Sequence, residues 1–158
     1  MIRFSLIFLF SLSVSISVNG QSPIISLNED SVAVSHQLQG FVESFENLDF
    51  DRFQTFFSPD VTVFFPPSAQ VNDRVDGKKN VMKVFQDFFS RVRKEKSGAP
   101  YLDISPRKLR ITFIEHVAIV TFELDETHAT SRRTIILRKE NGVFLIYHMH
   151  ASKIENPD

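Results

Sequence analysis

The chain has no cysteine, no tryptophan, only 5 glycines and only 2 tyrosines in 158 residues. Without cysteine there can be no disulfide, no thiolate nucleophile and no lipid-modified cysteine anchor, so stability must come from packing. Five glycines supply no glycine-rich phosphate loop, and no serine sits in a Gly-x-Ser-x-Gly elbow. Charge of one sign is also missing. With 18 basic and 19 acidic residues the net charge is −1, which gives no electrostatic drive toward nucleic acid or an anionic membrane. The basic run at positions 91–96 has no interleaved aromatics and reads as a solvated helix end. No cofactor is implied by any of these features.

What the chain has in excess is phenylalanine, 17 residues of it. Phenylalanine has no polar tip to satisfy, so it suits a dry core or dry pocket walls. The hydrophobic fraction of 42% and the charged fraction of 23% are ordinary for a globular protein of one-domain length. Met1-Ile2-Arg3 followed by Phe4 to Val18, all Phe, Leu, Ile, Val or Ser, and then Val18-Asn19-Gly20 has the n-region, h-region and cleavage pattern of a secretory signal. The apolar run falls short of the ~20 residues of a membrane span. Residues 1–20 are therefore expected to be a cleaved signal peptide, 21–29 a flexible tail and 30–154 the domain. The mature protein is expected to be secreted or periplasmic and free of the membrane.

Periodicity then gives the elements. Val34, Leu38, Phe41, Val42, Phe45 and Leu48 form one helical stripe after a cap at Asp30 or Ser31. Asp49 starts a shorter helix through Phe50, Phe53, Phe56 and Phe57, expected to stop at Ser58-Pro59. Asp60 to Phe65 is β-branched and aromatic and ends at Pro66-Pro67. After Asp76-Gly77, the residues Val81, Val84, Phe85, Phe88 and Val92 mark a third helix, closed by Ser97-Gly98-Ala99-Pro100. Strands are expected over 109–114 and 117–124 about a tight Glu115-His116 turn, and over 132–139 and 143–152 about Asn141-Gly142. Helices early and strands late mean an α+β fold with helices on one face of a sheet. Strand 117–124 is apolar on both faces, and strand 143–149 nearly so, which predicts a homodimer through the outer sheet face.

The order of elements, the Asn47-Leu48-Asp49-Phe50-Asp51 step and the Asp60…Phe64-Phe65-Pro66 strand resemble the SnoaL-like branch of the nuclear transport factor 2-like superfamily. The Gly77 start of the third helix and the closing strand from Gly142 to Ser152, with its His148-Met149-His150-Ala151-Ser152, fit the same resemblance. The association domain of calcium/calmodulin-dependent protein kinase II ends similarly. The resemblance implies a cone-shaped fold of three N-terminal helices on a strongly curved, mainly antiparallel sheet, with a pocket inside and frequent dimerisation. It implies no single activity, since members include isomerases, polyketide cyclases, dehydratases and oligomerisation domains.

Alternation in the last strand puts His148, His150 and Ser152 on one face, opposite Tyr147, Met149 and Ala151. Imidazoles titrate near neutral pH and can pass protons or hold a carboxylate. Each can equally be a hydrogen-bonded structural post. His148 is the candidate acid–base group, with Glu123 the one acid inside a central strand; the other acids sit where helix caps and strand ends explain them. Of Arg132 and Arg133, alternation turns one inward, and Arg133 shares the parity of inner residues; an inward arginine would favour an acidic ligand, although both can also be solvated edge charges. Phe64 and Phe85 are the aromatic candidates for the pocket wall. No metal site is expected, because His-x-His needs a third ligand, and Glu123 and His128 lack a motif spacing. Three functions stay open: binding of a small organic molecule, acidic or not, in a Phe-lined cone, an isomerase-, cyclase- or dehydratase-type reaction, and a dimerisation or interaction module with a vestigial pocket.

Overall fold

A computed structural model describes residues 23–66, 69–71, 73–126 and 129–155. The signal peptide read at 1–20 and the side chain of His128 lie outside the described residues. Helix α1 runs Pro23–Glu46, starting within the stretch that composition reads as a tail, and α2 covers Phe50–Phe53. Asp49 caps α2 by accepting a hydrogen bond from the Arg52 amide at 3.1 Å. A single 3-10 turn, Gln54–Phe56, then leads into β1, Phe57–Phe64. Ser58-Pro59 therefore lies near the start of a strand rather than merely ending a helix, in the stretch between Phe57 and Thr62 where the pairing with β6 shifts register. The remaining elements are β2 (Val75–Asp76), α3 (Lys78–Glu95), β3 (Arg107–Ile114), β4 (Val117–Glu126), β5 (Ala129–Glu140) and β6 (Val143–Glu155).

The β5–β6 turn has positive φ at both Asn141 (49°) and Gly142 (86°), the backbone that a two-residue hairpin demands. In α3 the buried residues Val81, Met82, Phe85, Phe89 and Val92 form one stripe, and Arg93 near its end donates to the Leu48 carbonyl at 2.7 Å.

Among the described residues the sheet has six strands in the order β2-β1-β6-β5-β4-β3. It corrects the expectation of a strongly curved sheet; four of its five strand pairings are antiparallel. The sheet is mixed, because β1 lies parallel to β6, and it neither closes nor curls strongly. One physical reason lies at the edges: β2 pairs through only Thr62↔Asp76 and Val63↔Val75, too little strand to carry the sheet round toward β3. The α+β class and the three helices stand, and the core lies between those helices and the inner sheet face.

Within β6 the pairing with β5 slips, from Leu137↔Ile146 to Ile136↔His148, leaving Tyr147 as an extra residue. Such a bulge reverses which parity faces the core. Phe144 and Ile146 are buried before it, Met149 and Ala151 after it. Arg138 stacks 4.1 Å from the Tyr147 ring centre and pairs with Glu140 at 2.8 Å, while Ser58 donates to the same carboxylate oxygen.

The core is a phenylalanine cluster centred on Phe53, which is fully buried. Its ring centre lies 5.3 and 5.5 Å from those of Phe41 and Phe45 on α1, 5.0 Å from Phe57 on β1, and 4.8 and 5.2 Å from Phe85 and Phe89 on α3. Replacing Phe53 by alanine should cost about 3–5 kcal/mol, the range for deleting a buried aromatic ring. Urea denaturation followed by circular dichroism checks this; a loss below about 1 kcal/mol would show that the cluster is not the core's keystone.

Candidate functional site

The inner sheet face and the helices enclose a cavity of about 420 Å³. Phe41, Val42 and Phe45 of α1 and Phe85, Phe88 and Val92 of α3 supply two sides. Phe122 and Leu124 of β4, Ile135 of β5, and Met149 and Ala151 of β6 form the floor, with Phe65 closing one end. The fourth side is the segment between α3 and β3, through Leu102, Asp103 and Ile104.

Among the described residues, five charged ones line the cavity. Arg91, Glu95, Asp103 and Asp125 are exposed and stand at its mouth; Arg133 is the half-buried one. The Arg133 guanidinium is oriented by the buried Ser131 hydroxyl, to which its Nη1 donates, and by the Arg132 carbonyl at 3.2 Å. Its fork therefore has a fixed direction beside apolar walls, the arrangement that matches a carboxylate.

The candidate residues fall on two sides of the sheet, and the bulge at Tyr147 is what turns the two histidines outward. Arg133 and Phe85 line the cavity. His148, His150 and Phe64 come together on the outer face of the sheet, where the parallel pairing sets Thr62 beside His148 and Phe64 beside His150. The His148 Nδ1 lies 2.7 Å from the Thr62 hydroxyl, and the Phe64 ring sits 6.0 Å from His148 and 5.6 Å from His150. Burial pushes the His148 pKa down, and the positive charges of His150 and Arg74 add to it. Arg74 is itself held by Asp76 at 2.7 Å. Glu123 also faces outward, where the hydrogen bond from Lys108, 2.9 Å away, holds its carboxyl below the usual range. Glu140 is lowered too, first by its hydrogen bond from Arg138. Among the described residues no group of three His, Cys, Asp or Glu is placed to hold a metal ion, and no helix is long and apolar enough to cross a membrane.

The lining residues that sequence reasoning did not single out are instructive. Phe41, Phe45 and Phe88 were visible only as helix stripes, and a stripe does not say whether a ring fills a core or bounds a void. Leu102, Asp103 and Ile104 carry no periodic signal at all. Phe64, proposed for the wall, is 40% exposed, and its neighbour Phe65 takes the place.

The neutral form of His148 gives a pH signature. The unfolded chain takes up a proton near the ordinary histidine value of 6.5, whereas the folded chain resists until a lower pH. Stability is thus full above that value and is lost as the pH falls from it toward the folded value. Urea titrations at pH 7.5 and 5.5 should show wild type weakened at the lower pH and His148→Gln weakened less. Equal losses would remove His148 as the cause; the lowered acids Glu123 and Glu140 act only in a more acidic range.

Comparison with known proteins follows the geometry. The sequence profile of the SnoaL-like domain matches residues 34–156. Among solved structures, a candidate dehydratase of the NTF2-like family from Streptomyces avermitilis superimposes with a TM-score of 0.68 at 14% identity, over 82% of this chain and 99% of that one. An NTF2-like protein of unknown function from Pseudomonas putida gives 0.66 at 13% identity, over 79% and 87% of the two chains. A CamKII hub homology domain from Chlamydomonas reinhardtii gives 0.60 at 16% identity, over 80% and 99%. At these identities the likeness carries the fold alone. No curated protein matches the sequence.

Proposed function

This chain belongs to the SnoaL-like domain family, and we propose that it is an exported binding protein that holds a small, largely apolar organic acid in its inner cavity. The observation that carries this reading is the pairing of an apolar cavity of about 420 Å³ with one half-buried guanidinium, that of Arg133. That volume falls within the ~300–1,000 Å³ of small-molecule sites, and a few convergent polar groups among apolar walls are their usual make-up. Export rests on the signal pattern of residues 1–20.

The rival is an enzyme, a reading made pertinent by the candidate dehydratase of similar fold. Acid–base catalysis needs a titratable group within reach of the reacting atoms. The described lining contains no histidine, serine, threonine or tyrosine, and its three carboxylates stand at the mouth. His148 lies across the sheet. Binding is therefore the better supported function.

The test compares naphthalene-2-carboxylate with its neutral amide in thermal shift. The acid should stabilise wild type more than the amide does, and Arg133→Gln should erase the difference. Ala151→Phe, which fills the floor, should abolish both shifts, while His148→Ala should leave them intact. Loss of the shift in His148→Ala, with Ala151→Phe unaffected, would move the site to the outer face.

We further propose that the outer sheet face joins two copies of the chain. Ile119 and Ile136 stand directly opposite each other there, near Leu145, Tyr147 and the 58%-exposed Ile114. Sedimentation at micromolar concentration should give a dimer for wild type and a folded monomer for Ile119→Glu/Ile136→Glu. A monomeric wild type would end the proposal.

A further inference from the structure

One wall of the cavity is held differently from the others. Residues 101–104 lie in neither helix nor strand, yet Leu102, Asp103 and Ile104 border the void. Their hold is the last residue of α1. The Glu46 carbonyl accepts from the Tyr101 and Leu102 amides at 2.8 and 3.2 Å, and the Glu46 Oε1 accepts from the Ile104 amide at 2.9 Å. One further bond comes from Lys96, whose ammonium donates to the Tyr101 carbonyl at 2.9 Å.

A carboxylate is a poor choice for that position on local grounds. Helix C-termini are electronegative and favour cations, and α1 has no basic residue in its last turn. Glu43, one turn earlier, is compensated by Arg52 at 3.1 Å. Glu46 has no ion-pair partner among the described residues and is half-buried. Its carboxylate is set against the helix end and satisfied by a single segment amide. Local rules are broken in this way where a residue does something other than stabilise its own element.

We infer that segment 101–104 is the moving wall of the cavity and that Glu46 is the latch holding it shut. The backbone bonds from Tyr101 and Leu102 to the helix end form the pivot, and the carboxylate–Ile104 bond is the one that breaks to admit or release a ligand. The inference rests on the cavity being a binding site. Glu46 acts here as a positioning residue, since it does not itself line the void.

The test uses the full mature chain and 8-anilinonaphthalene-1-sulfonate, an apolar anion, as probe. Glu46→Ala removes the acceptor, and Ile104→Pro removes the donor while leaving the carboxylate. Both should bind and release the probe about tenfold faster in stopped flow, the effect of losing one charge-assisted hydrogen bond. Equilibrium affinity should change far less than the rates. Glu46→Gln, which keeps an acceptor oxygen but loses the charge, should fall between wild type and Glu46→Ala. Hydrogen exchange should show the Ile104 amide released in Glu46→Ala. Unchanged probe rates alongside a released Ile104 amide would overturn the latch and leave the cavity reading intact. A wild type that binds no probe would overturn the cavity reading, and the latch with it.

Discussion

Phe53 sits where α2 gives way to the turn before β1, and rings from both long helices and the first strand converge on it. That convergence fixes the distance between α1 and α3. Phe41, Phe45 and Phe85 on the same two helices serve in both the packed core and the cavity wall. A chain without disulfides needs such a centre, and dispersion among close-packed rings supplies it. The void beside it persists because bulky rings on fixed helices cannot all turn to fill it.

The second constraint is one extra residue in β6. Without the bulge at Tyr147, alternation would carry the inward parity of Phe144 and Ile146 on to His148 and His150, and the cavity would have an imidazole floor. With it, Met149 and Ala151 form the floor and the histidines face outward. The inner face is then largely apolar among the described residues, with the Arg133 guanidinium oriented at its side. The outer face gains a half-buried His148 beside Thr62, its pKa pushed below the ordinary histidine value by burial.

Much of the fold was legible in the sequence. Stripes of period 3.6 located the three helices, Asn141-Gly142 placed the hairpin, and the order of elements marked α+β. The parity of Arg133 agrees with its place at the cavity, and the helix position of Phe85 with its place in the wall. What was not legible depends on pairing between distant segments. The parallel contact of β1 with β6 and the brevity of β2 decide that the sheet is mixed and uncurled, and no local pattern encodes either. A bulge is likewise a matter of register, so alternation alone carried His148 and His150 toward the pocket when they face away from it. Segment 101–104 has no periodicity, and its role follows from hydrogen bonds to Glu46, far off in sequence.

The central claim is that the inner cavity, and not the histidine strand, receives the ligand. Intermolecular nuclear Overhauser effects from bound naphthalene-2-carboxylate test it most directly, since they report which protons touch the ring. Contacts to the ring protons of Phe85 and Phe88 and the methyl groups of Met149 and Ala151 are predicted, because these surround the void. Contacts to the imidazole protons of His148 and His150, with none to Phe85 or Met149, would contradict it.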